Sequence, residues 1–179
     1  MDLKTLLSKG GPHTFLHFWG HSPTPWHITK ACLSQWYECM FIVDGDIYSS
    51  AEQFMMAEKA RIMADMETRE EILASDDPRE IKKLGRKVRN FDTRLWDSHK
   101  FEIVVTGNYH KFSQNPDLLD FLISTDGKVL VEASPYDDIW GIGLEASHPD
   151  ASDPFKWKGQ NLLGFALMEV RDMLIQETK

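Results

Sequence analysis

The spacing of apolar residues along this chain changes character several times, and each change marks an element. Phe41-Ile42-Val43 and Ile47-Tyr48 flank Asp44-Gly45, a pair suited to the positive φ angles of a two-residue turn, so a β-hairpin is predicted within Ser34–Ser50. A run of strong helix formers, AEQFMMAEKARIMADM, follows directly. Ser49 and Glu52 lie three apart at its start and read as a capping box. Asp77-Pro78 opens a second helix running to about Arg89, and Asp92 or Thr93 caps a longer one carrying Leu95, Trp96, Ile103 and Val104. Asn115-Pro116 opens a shorter helix. Val129-Leu130-Val131, bounded by Gly127 and Pro135, reads as a short buried strand. Asn161 to Gln176 closes the chain as a helix with a wide apolar stripe through Leu162, Leu163, Phe165, Ala166, Met168 and Val170.

The first 30 residues are expected to be irregular after a short helix. Gly10, Gly11, Pro12, Gly20, Pro23 and Pro25 interrupt every candidate run, leaving a loop with aromatic anchors at Phe15, Phe18 and Trp19. No strand–helix–strand alternation is visible. The class is therefore α+β, predominantly helical with a small hairpin and short strands, in a single domain over 1–179.

Composition narrows the function classes. Lys+Arg 20 against Asp+Glu 28 gives a net charge of −8, so long-range attraction to nucleic acid or an anionic membrane is not expected to drive binding. Cys32 and Cys39 fit neither a zinc framework nor a disulfide scaffold and are expected to be free thiols in a reducing compartment. No apolar run reaches the roughly 18 residues of a membrane span, and the N-terminus has too short an apolar core for a signal peptide. A cytoplasmic location is expected. His13, His17 and His21 recur every fourth residue, but Gly20 and the prolines oppose the helix that would align them. No metal and no cofactor are expected.

Chemistry concentrates in two stretches. Glu52 and Lys59 are separated by about two turns, so both leave one face of their helix. The strand at Val129 runs into Asp137, Asp138, Trp140, Gly141 and Gly143, a loop of the kind that carries working residues at strand ends. Carboxylates and an amine in these positions suit hydrolysis at an anomeric carbon, which needs an acid for the leaving group and charge against an oxocarbenium-like transition state. Each residue has a plainer reading. Glu52 serves as a cap, Lys59 as a solvated lysine, Asp137 and Asp138 as turn residues, and Trp140 and Trp96 as core. Lys82, Lys83, Arg86, Lys87, Arg89 and Arg94 gather positive charge, either a solvated face or a phosphate site with Arg86 as its best member.

The ordered set SQW, AEQFMMAEKA, LGR, VEASPYDDIWGIG and GQNLLGFALMEVR, over residues 14–175, resembles the NADAR family, the NAD- and ADP-ribose-associated domain. The resemblance implies a compact, largely helical N-glycosidase. It would cleave the N-glycosidic bond of ribosylamine phosphates early in riboflavin synthesis, or remove ADP-ribose from modified guanine, free or in a nucleic acid. It also implies catalytic parts for Glu52, Lys59 and Asp137, and substrate contacts at Trp140, Gly85, Arg86, Trp96, Gln53, Gly141 and Asn161. Gly159 and Gly164 match further family positions. Gln53 is a departure, because histidine is common after the motif glutamate. That departure keeps a second expectation open, a module that binds ADP-ribose or NAD without turnover.

Overall fold

The computed structural model describes residues 1–177 and divides the chain into two compact units. Gln35–Pro116 forms one; Met1–Ser34 and the segment from Asp117 onward form the other. The class is as expected, mostly helical with two small sheets.

In the Gln35–Pro116 unit, β1 of the hairpin (Phe41–Val43) pairs antiparallel with β2 (Asp46–Tyr48). Asp44 (φ 52°) and Gly45 (φ 91°) make the left-handed turn that the dipeptide predicts. Gln114 secures the exposed edge of β1, accepting from the Ile42 N–H and donating to the Ile42 carbonyl, both at 2.8 Å. The hairpin leads into α2 (Ala51–Ile62), whose buried residues Phe54, Met55, Met56, Ala57 and Ala60 are enclosed by α3 (Met66–Leu73), α4 (Pro78–Lys87) and α5 (Thr93–Ser113). Phe54 packs edge-on to Tyr48 at 5.1 Å between ring centroids, burial of a kind worth about 1.5–3 kcal/mol per side chain. Gly85 admits α4 close to α2, because a Cβ there would collide with the Met56 side chain; Gly107 makes the same allowance for Phe54.

Two details depart from the expectation. The long helix-forming run is broken after Ile62 by Ala64 at φ 56°, and the chain restarts as α3 behind the N-cap Asp65. Asp65 is buried, caps Thr68 through its Oδ1 and Oδ2, and takes Arg89 Nη2 at 2.6 Å. That ion pair stands in for the solvation the carboxylate loses. The α2 cap is also shifted by one residue. Ser50 receives the Gln53 N–H at 3.1 Å, and the Gln53 side chain reaches back to the Ser49 N–H at 2.7 Å. The box is thus Ser50–Gln53, and Glu52 is released from the capping role.

The other unit begins with α1 (Leu3–Lys9), capped by Asp2. The expected aromatic loop is in fact a strand at Thr14–Phe18, paired in parallel with Lys128–Glu132 from Thr14↔Lys128 to Phe18↔Glu132. These strands are β3 and β4 here. The pairing partner lies more than a hundred residues away, and β3 is only partly buried before Phe18, so local periodicity carries little trace of it. α6 (Pro116–Ile123) precedes β4, and α7 (Leu162–Glu177) packs on β4, with Leu163, Leu167 and Val170 buried. Buried Arg171 ties the layers together by donating to the carbonyls of Thr125 (2.7 Å) and Lys128 (3.0 Å). His17 Nε2 is within 3.1 Å of the Ala151 carbonyl, and no group of three or more metal-ligating side chains gathers among the described residues. No helix among them is long and apolar enough to cross a membrane.

Candidate functional site

On α2, Glu52 occupies the second helical position, where its N–H donates to the Gln35 carbonyl at 2.9 Å. Gln35 is held in turn by Asn108, whose Nδ2 donates to its Oε1 at 2.7 Å. The SQW stretch therefore places the first turn of α2. Glu52 itself is 8 % exposed, low for a carboxylate.

Lys59 emerges two turns later, half-buried, and donates to the Gly85 carbonyl at 2.7 Å. Its Nζ lies 4.6 Å from the ring centroid of Phe91 and 5.8 Å from that of Trp96. Burial pushes this amine below the ordinary lysine value of 10.5, and the Glu52 carboxylate partly opposes the shift. The structure thus brings Glu52, Lys59, Gly85 and Trp96 into one cluster. Arg86, the next residue after Gly85, is exposed on α4. Phe91 escaped the sequence reading; its only signal is a large aromatic placed just before the Asp92 cap, and it is 45 % exposed.

Gln53 has a different station. Its Oε1 accepts from the Ser49 N–H and hydroxyl, while its Nε2 donates to the carbonyls of Ile72 (3.0 Å) and Ser75 (2.9 Å). It joins the hairpin, α2 and the end of α3, and it borders an open cleft of about 530 Å³ together with Trp36, Cys39 and Ser50.

In the other unit, Asp137 folds the loop after β4 around itself. Its Oδ1 accepts from the N–H groups of Ile139 (2.9 Å) and Trp140 (2.8 Å), and its carbonyl accepts from Gly143 at 3.1 Å. The loop carbonyls then receive the chain entering α7. Asp138 accepts from Gln160, Gly141 from Asn161, Ile139 from Leu162 and Trp140 from Leu163. Asn161 is the pin of this arrangement. It is fully buried at φ 55°, its Oδ1 accepts from the Glu132 N–H at 2.9 Å, and its Nδ2 donates to the Leu130 carbonyl at 2.9 Å. Gly141, Gly159 and Gly164 have no room for a side chain, since a Cβ would meet the Glu132, Gly141 and Leu130 carbonyls respectively. Trp140 is half-buried and Asp138 exposed.

Residues 17–175 match the NADAR domain family. The N-glycosidase R617 of Acanthamoeba polyphaga mimivirus is 49 % identical over 144 residues, covering 78 % of this chain and 85 % of that one. The N-glycosidase YbiA of Escherichia coli is 30 % identical over 135 residues, 75 % of this chain and 76 % of its own. The solved NMR structure of E. coli YbiA superposes with a TM-score of 0.75 at 26 % identity, covering 94 % of this chain and 89 % of that chain. With its ordered motifs, its mostly helical fold and relatives of this extent, the chain belongs to the NADAR domain family.

Proposed function

We propose that this protein is an N-glycosidase whose substrate is a phosphorylated ribosyl compound, either ADP-ribosylated guanine or a ribosylaminopyrimidine phosphate. The observation that carries the reading is Lys59, a half-buried amine with lowered pKa, held on the Gly85 carbonyl between Phe91 and Trp96 and under the field of Glu52. A solvated surface lysine would not be held between two aromatic rings, and a nucleophile gains from such a setting because only the neutral amine attacks.

The chemistry follows from that pair. As the bond between ribose C1′ and the base nitrogen breaks, its electron pair goes to the base and positive charge develops over C1′ and the ring oxygen. Glu52 supplies the proton that the departing base takes up. Neutral Lys59 Nζ forms a bond to C1′; the Glu52 carboxylate left by that first transfer relays one proton from Nζ to the ring oxygen as the C1′–oxygen bond breaks, giving a protonated imine. Water then adds to that imine carbon and the bond to Nζ breaks, releasing ADP-ribose or ribose phosphate according to the substrate, and the extra proton on Nζ returns to Glu52 and restores the neutral amine. For Asp137 the proposed part is charge stabilisation at C1′ or orientation of water. Its Oδ1 is committed to Ile139 and Trp140, so this role falls to Oδ2. Arg86 is assigned to phosphate, for which a guanidinium is suited by its paired donors. Trp140 is assigned to the ligand wall.

Incubation with ADP-ribosylated guanosine and, separately, with a ribosylaminopyrimidine phosphate, with chromatography of the released guanosine or aminopyrimidine, tests the activity. Borohydride reduction during turnover tests the lysine: a mass adduct on Lys59 is expected, and turnover without an adduct removes the imine. Tight binding with no base released from any of these substrates would replace hydrolysis by a binding-only module. The Gln53 amide is engaged by the framework through Ser49, Ile72 and Ser75, so its departure from histidine bears on helix anchoring.

A further inference from the structure

The short connection from α4 to α5, residues 88–92, is pinned along its length. Val88 is buried. The Arg89 N–H donates to Asp65 Oδ2 at 2.8 Å and its guanidinium to Asp65 Oδ1 at 2.6 Å, Asp65 being the buried N-cap of α3. Asn90 then takes φ 54°, a left-handed conformation that asparagine tolerates better than most residues. The Asp92 N–H reaches Met63 Sδ at 3.2 Å, and Asp92 Oδ1 accepts from the N–H groups of Arg94 and Leu95. Phe91 is the residue presented between these anchors. Its ring is 45 % exposed, with the centroid 4.6 Å from Lys59 Nζ. A lone exposed aromatic needs no explanation. One held by a pinned loop over a half-buried amine does.

We propose that Phe91 is a positioning residue for Lys59, its ring closing the solvent side of the amine and keeping water from it. This deepens the N-glycosidase reading and rests on it, since that chemistry needs a dry, neutral amine. The other neighbours of Nζ are also uncharged. The Gly85 carbonyl of α4 takes one hydrogen bond at 2.7 Å, and the Trp96 ring of α5 stands farther off, its centroid at 5.8 Å. Arg86 on α4 and Arg94 on α5 are exposed, and Asp65 at the start of α3 is paired with Arg89. Glu52, on α2 itself, is the charged group whose field acts on the amine, and it favours the ammonium. Burial is the largest influence on Lys59 and favours the neutral form. A ring face also attracts an ammonium, which opposes burial. An apolar cover without a π face should therefore favour the neutral amine at least as well as Phe91 does.

The test acetylates the full chain with acetic anhydride across pH and reads modification of the Lys59 peptide by mass spectrometry, so it needs no substrate. The midpoint of the pH curve reports the amine's protonation, and the plateau reports access to it. In Phe91→Ala the midpoint is expected to move up toward 10.5 by at least about half a pH unit, about threefold less neutral amine at any pH well below it. Phe91→Gln, polar and of similar reach, should move it the same way and covers the case in which the alanine variant melts early. Phe91→Leu, apolar but without a π face, should leave it at or below the wild-type value. The alkaline limb of kcat/KM should follow the same order, which a merely structural defect in the loop would not impose. An unmoved or lowered midpoint in both the alanine and glutamine variants, or a leucine variant shifted up as far as alanine, overturns the proposal. If the midpoints move as expected while borohydride traps no adduct on Lys59, the cover stands and the imine falls. An adduct together with unmoved midpoints keeps the imine and removes the cover.

Discussion

The start of α2 and the entrance to α7 both carry motif residues, and on the proposed reading they use them for opposite purposes. Around Asn161, the motif residues are absorbed into the fold: glycines where backbone touches backbone, a buried carboxamide that replaces two strand hydrogen bonds, and an aspartate that caps its own loop. Around Glu52, the framework work is done by neighbours, Ser50, Gln53, Gln35 and Asn108. Glu52 is left buried and Lys59 half-buried, the lysine at some electrostatic cost. On the proposed reading, a motif residue signals either a close approach of backbones or a chemical task.

The contrast can be broken most forcefully at Asn161. Asn161→Ala leaves the Glu132 N–H and Leu130 carbonyl buried without their side-chain partner, at about 1–3 kcal/mol each. A loss of about 2–6 kcal/mol in urea denaturation is expected, and a change below about 1 kcal/mol would show that the pin is dispensable. Glu52→Gln should do the reverse, cutting kcat by about 10²- to 10⁴-fold while the denaturation midpoint stays near wild type. Equal loss of fold and rate would make Glu52 another framework residue.

Asp137→Asn falls between the two regions. The carboxamide oxygen can still accept from Ile139 and Trp140, so the loop should persist while the charge is lost. Base release slower by about 10²-fold or more, with an unchanged melting curve, is expected, and wild-type turnover would confine Asp137 to loop closure.

Smaller effects appear against pH. The Lys59 amine binds fewer protons folded than unfolded between its lowered pKa and 10.5, so stability rises with pH through that window. Lys59→Met should therefore be modestly more stable than wild type at neutral pH, with the gain fading as pH approaches 10.5. Wild-type activity should climb over an alkaline limb centred below 10.5, tracking the neutral amine; a flat profile would contradict the nucleophile. Asp65 runs the other way. Hydrogen bonds from Arg89, through side chain and backbone, hold its carboxyl well below 3.8, with Thr68 adding to them. Its contribution is complete above about pH 4 and is lost as pH falls further. Asp65→Asn should lower the denaturation midpoint at about pH 7, and the difference from wild type should shrink in acid.

Much of the secondary structure was legible because its causes are local. Asp44-Gly45 selects the hairpin turn, Asp77-Pro78 and Asp92 start their helices, and the stripe from Leu162 to Val170 needs only a sheet to cover it. The pairing of Glu52 with Lys59 on one helix face was also readable, since helical periodicity alone aligns residues seven apart. What stayed hidden depends on contacts distant in sequence. Thr14–Phe18 is a strand only because β4 lies beside it. The break at Ala64 is compensated by Arg89, 24 residues beyond Asp65. The lysine's lowered pKa exists only once Gly85, Phe91 and Trp96 close around it. Residue spacing determined which groups share a face; only the tertiary structure decided which of them lose water, and desolvation is what turns an ordinary side chain into a reactive one.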